Sequence, residues 1–100
     1  MIAKLERLAA AGIQIVPSEI TSHFILERAG FVAFVERRGQ EFGNIGAPGL
    51  ATEKGLAPLV WRGPQAFFVG RGFEQPATAD QVRDIRAFAA DLEKAILGRE

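Results

Sequence analysis

The stretch Ser22-His23-Phe24-Ile25-Leu26-Glu27-Arg28-Ala29-Gly30-Phe31-Val32-Ala33-Phe34-Val35-Glu36-Arg37 decides the fold class. Segments 22–28 and 31–37 are dense in aromatic and β-branched residues and read as two strands. Their link, Glu27-Arg28-Ala29-Gly30, fits a type I turn with Gly30 in the left-handed position. A two-residue primed turn would force Ala29 to positive φ, a costly conformation for a residue that carries a Cβ. A three-residue loop is therefore expected, and it sets a register. Glu27 then opposes Phe31, Leu26 opposes Val32, Ile25 opposes Ala33, Phe24 opposes Phe34, and His23 opposes Val35.

In that register one face carries Phe24, Leu26, Val32 and Phe34. The other carries Ile25, Phe31, Ala33 and Val35, interrupted by His23 and Glu27. A sheet with one wet face alternates apolar and polar residues more cleanly than this. Both faces need a cover.

Moving outward, segments 58–62 and 66–70 repeat the pattern around a Gly63-Pro64-Gln65 turn, with Phe67 and Val69 competing with Phe68 for the inside. Residues 13–16, ended by Pro17, make a short edge strand. Long helical periods appear at the two ends. Ile2, Leu5, Leu8 and Ala9 form a stripe over residues 2–11, closed by Gly12. From Val82, the positions Ile85, Phe88, Ala89, Leu92, Ala95 and Ile96 recur at helical spacing. Thr78 with Gln81 is a capping-box signal, Asp80 suits the first turn, and Gly98 marks the end. The connection 39–57 holds five glycines, and Pro48 to Lys54 within it reads as a short helix.

The expected architecture is α+β: an antiparallel β-sheet of four to five strands, with N-terminal and long C-terminal helices packed on one face. Residues 1–100 are expected to form one such domain, since the length matches the common domain size. Read generously, the order α-β-β-β-α-β-β-α is similar to that of the type III secretion chaperones. That resemblance runs along the whole chain as an order of elements, without a shared motif, and those proteins are typically acidic whereas this chain is neutral. It implies a homodimer that binds another protein.

Composition removes several function classes. Twelve Lys and Arg balance twelve Asp and Glu, which argues against a general nucleic-acid binder. No cysteine is present and His23 is the single histidine, so thiolate and multi-histidine metal sites are excluded. No cofactor and no metal are expected. The start carries charges at Lys4, Glu6 and Arg7 with no long apolar run behind them, so neither a secretory leader nor a membrane span is expected. A soluble, cytoplasmic protein is the expectation.

Motifs of nucleotide chemistry fail on spacing. Gly70-Arg71-Gly72 follows a strand, yet Gln75 occupies the third glycine position of the dinucleotide fingerprint. Gly43-Asn44-Ile45-Gly46 has GxxG spacing, without the charge an RNA clamp would use. Ser22 and His23 are neighbours in a strand, where alternation sends them to opposite faces. A contact of His23 with Glu27 or Glu36 is expected instead. No two of Glu27, Glu36, Glu41, Glu53 and Glu74 are spaced as an acid–base pair.

Two functional expectations follow. The first is a homodimeric interaction module, chaperone-like or regulatory, that pairs through Ile25, Phe31, Ala33 and Val35 with His23 and Glu27 at the rim. The second is a small-molecule binder or small enzyme, with a pocket under the 39–57 connection bordered by Glu53, Trp61, Arg62 and Arg71. No catalytic residue is singled out.

Overall fold

The computed structural model describes residues 2–98. Its elements run α1 (Ile2–Ala10), β1 (Gln14–Val16), β2 (His23–Arg28), β3 (Phe31–Arg38), β4 (Glu41–Ile45), β5 (Gly49–Thr52), β6 (Gly55–Arg62), β7 (Gln65–Gly70), β8 (Phe73–Pro76) and α2 (Ala79–Leu97). The class is α+β, as expected, but the antiparallel sheet has eight strands rather than four or five. Seven of them follow the order β1-β2-β3-β5-β6-β7-β8, and β4 pairs with β3 beside β5.

The segment 39–57 holds no helix. It forms β4, β5 and the start of β6. β4 lies along the C-terminal half of β3 and β5 along its N-terminal half, as one strand broken at Gly46-Ala47-Pro48. The physical reason is that the edge of β3 must satisfy its peptide groups, and this segment supplies the partners. Gly49 makes the close approach possible. A Cβ there would sit 2.6 Å from the Ala57 carbonyl oxygen across the β5–β6 pair. Without the internal helix, the likeness to the secretion-chaperone order of elements is lost.

The hairpin β2–β3 also departs from expectation. Arg28 pairs with Phe31, Leu26 with Ala33, Phe24 with Val35 and His23 with Glu36, which is a two-residue turn. Ala29 and Gly30 have φ of 54° and 88°, as a type I′ turn requires. The strain at Ala29 is held by two bonds to Gly30, one from within the hairpin and one from β5. The Glu27 carboxylate accepts the Gly30 N–H at 3.0 Å, and the Ala51 N–H of β5 donates to the Gly30 carbonyl at 3.0 Å.

This register puts Leu26, Ala33, Val35 and Phe31 on the concave side of a curled sheet, all buried. They join Ala57, Ala66 and Phe68 from the later strands in one cluster with Leu8 of α1 and Phe88 and Leu92 of α2. Phe68 and Phe88 are fully buried, and truncating either to Ala would remove about 3–5 kcal/mol. β6 pairs with β5 up to Pro58 and with β7 from Leu59 onward. Proline, which has no N–H to donate, sits where the strand changes partner.

α2 starts as its sequence predicts. Thr78 Oγ1 accepts the Gln81 N–H at 3.1 Å, and Gln81 Oε1 accepts the Thr78 N–H at 2.9 Å. Gly98 closes it in the left-handed conformation. Arg28 ties the layers together: it donates to the Ala11 carbonyl at 2.9 Å and to Asp91 at 2.8 Å, with its guanidinium over the Phe88 ring. Among the described residues no helix is long and apolar enough to cross a membrane.

Candidate functional site

Apart from the β3–β4 pair, whose register shifts between Val35 and Arg37, strand pairing carries the alternation through the sheet, so the outer, convex face can be read row by row. Val16, Ile25 and Phe34 form one row. Val32, Gly49 and Pro58 form a second, and Val60 with Phe67 a third, with Val69 beyond it. Phe34 and Val60 are 37% and 38% exposed, and Ile25, Phe67 and Val69 are half-buried. The helices pack on the other side, in the core cluster.

The expected interface set therefore divides. Phe31, Ala33 and Val35 do not face outward: the two-residue turn moves them to the concave side, and all three are in the core. Ile25, His23 and Glu27 are on the outer face, where Phe34 joins them, while Val32 shares that face but is buried. A one-residue change of register exchanges the faces of a strand, and that is the cause here.

The rim of this face is polar. His23 lies opposite Glu36, and its ring is 6.5 Å from that of Phe34. Glu36 accepts from Arg38 at 2.6 Å and from the Asn44 N–H at 3.4 Å. The Arg38 bond first, then the Asn44 bond, hold its carboxyl below the usual carboxylate value, with the charge of His23 adding a smaller contribution. At the other end Arg62 pairs with Glu74 at 2.8 Å and lies over the Phe67 ring.

Ser22 and His23 do touch, contrary to expectation. The Ser22 hydroxyl is 2.8 Å from His23 Nδ1. Ser22 precedes β2, so strand alternation does not govern it. Both residues are exposed, and Glu36 bonds Arg38 and Asn44, so among the described residues no orienting acid completes a catalytic triad. The Arg37 guanidinium stacks on the Phe24 ring at 4.4 Å.

The expected pocket residues are only partly brought together. Glu53 and Arg71 both line a groove of about 740 Å³ at one end of the concave side. Trp61 lies elsewhere, paired across strands with Ala66, half exposed and capped by Arg86 at 5.5 Å. Arg62 is on the outer face with Glu74. Sequence reasoning missed Phe73 as a groove residue because the four-residue β8 is too short to show a period, and missed Lys54 because it lies in the turn between β5 and β6. Gly72 at the β7–β8 turn was the available signal. Among the described residues no three His, Cys, Asp or Glu side chains gather in a way that would hold a metal. Comparison of the chain with protein-family models, curated proteins and solved structures finds no match in any of the three.

Proposed function

We propose that this chain is a small homodimeric interaction module, which pairs with a second copy of itself through the outer face of the sheet. The observation that carries the reading is the outward-facing apolar surface of Ile25, Phe34, Val60 and Val69, with Phe67 beneath Arg62 at its edge. Contiguous apolar patches of this kind on otherwise polar proteins mark association surfaces. The broad side of the molecule measures 39 × 31 Å, large enough for the ~800 Å² per partner of a standard interface.

A second copy is favoured as occupant by charge. With zero formal net charge, two copies meet without net repulsion, and closed two-fold pairing is the commonest symmetry. The rim carries both signs, at Glu27 and Arg62, so an isologous contact can match them. A regulatory role in a cytoplasmic setting belongs to the same reading, and no reaction is assigned.

Light scattering at micromolar concentration tests it. The expected mass is twice the 10.8 kDa of one chain. Phe34→Asp is expected to give a monomer with an unchanged circular dichroism spectrum, whereas Val35→Asp, on the buried side, should unfold the protein. A clean monomer for the unaltered chain overturns the proposal.

A further inference from the structure

We propose that the groove between the β5–β6 and β7–β8 turns binds a small amphiphilic organic anion, an apolar body ending in a carboxylate. This site is on the concave side, apart from the outer sheet face, and does not depend on the dimer reading. The curl of the sheet brings β5 and β8 to the same cavity although β6 and β7 separate them in strand order. Leu50 and Phe73 supply its half-buried apolar walls, and Thr52 and Gln75 add polar atoms.

Two cations stand on its rim, one from each turn. The Lys54 ammonium rests over the second turn, 2.9 Å from the point a Cβ of Gly72 would occupy. Gly72 has φ of 65°, so glycine there both makes the turn and leaves the space that Lys54 fills. Arg71 is the adjacent residue. Neither Lys54 nor Arg71 forms an ion pair among the described residues, so both charges face the groove without a carboxylate partner. Glu53 is the one carboxylate lining the groove, which leaves a single positive charge in excess.

A mono-anion restores balance, and its apolar body fills the space between Leu50 and Phe73. Binding sites of this form combine an apolar wall with a few placed charges. A guanidinium and an ammonium together suit a carboxylate, one by its fork and the other as a point charge. The sizeable volume admits a chain or ring rather than a bare inorganic anion.

Titration calorimetry with decanoate, decanol and decyltrimethylammonium tests the assignment on the intact chain. Decanoate is expected to bind at least tenfold tighter than either of the other two, and more weakly as salt is added. The double variant Lys54→Gln with Arg71→Gln alters exposed side chains only, and should lose that preference while keeping its thermal transition. Phe73→Ser should weaken decanoate and decanol alike. Phe34→Asp on the outer face should leave decanoate affinity unchanged, which separates this site from the dimer surface. Equal affinity for the anion and the cation, or full anion preference in the double variant, overturns the proposal.

Discussion

Replacing Ala29 by Asn should stabilise the protein, and the size of the gain follows from the turn. Ala29 has φ of 54°, in the left-handed region. That conformation costs an L-residue with a Cβ roughly 1–2 kcal/mol. Asn tolerates it much better, through local hydrogen bonding of its short amide, and Asn-Gly is the preferred type I′ pair. Most of the strain should therefore be recovered, giving about 1 kcal/mol, or a rise in melting temperature of about 4–8 °C for a chain of this length. Ala29→Gly should gain less, because its freer unfolded chain offsets roughly 0.4–1 kcal/mol. Ala29→Val should lose stability, since a branched Cβ makes the left-handed region worse. Thermal and urea unfolding of the three variants measure the order Asn above Gly above Val. A neutral Ala29→Asn variant, with Val tolerated, would refute the two-residue turn. The assignment of Phe34 and Ile25 to the outer face would fall with it.

Further measurements test other parts of the structure. Glu36 has its carboxyl held below the usual value, chiefly by Arg38, so its stabilising contribution is present above the ordinary carboxylate pKa and is lost as pH falls through the lower folded value. Urea titrations across a pH series should show the unaltered chain more stable than Glu36→Gln near neutrality, with the two converging in acid. Thr78→Ala removes the capping hydroxyl of α2 and should cost about 1 kcal/mol in the same assay. Gly49→Ala would place a Cβ 2.6 Å from the Ala57 carbonyl oxygen, and the resulting backbone shift should cost about 1–3 kcal/mol with an unchanged urea slope.

Local signals in the sequence mark several elements directly. The helix α2 combines a helical apolar period, a capping box and a terminal glycine, all within one short stretch, and the structure agrees at both ends. The strands β2, β3 and β7 show themselves by aromatic and β-branched density. The surplus of apolar residues on both faces of the hairpins was legible in the same way. Its assignment to named residues was not, because two turns differing by one residue give equally apolar faces in this segment.

The sequence by itself determined the class, the two terminal helices, the exclusion of cysteine and multi-histidine chemistry, and the excess of strand-borne apolar surface. Only the tertiary structure decided the sheet's size and which residues face out. β4, β5 and β8 are strands because neighbouring strands offer unpaired peptide groups, and short segments such as Gly49–Thr52 carry no period of their own. Ala29 accepts a strained conformation because Glu27 and Ala51 both bond Gly30 and the resulting register buries Leu26, Ala33 and Val35 together. The bond from Ala51 and the burial of those three side chains join residues far apart in the chain, and the local preference of the turn carries no trace of them.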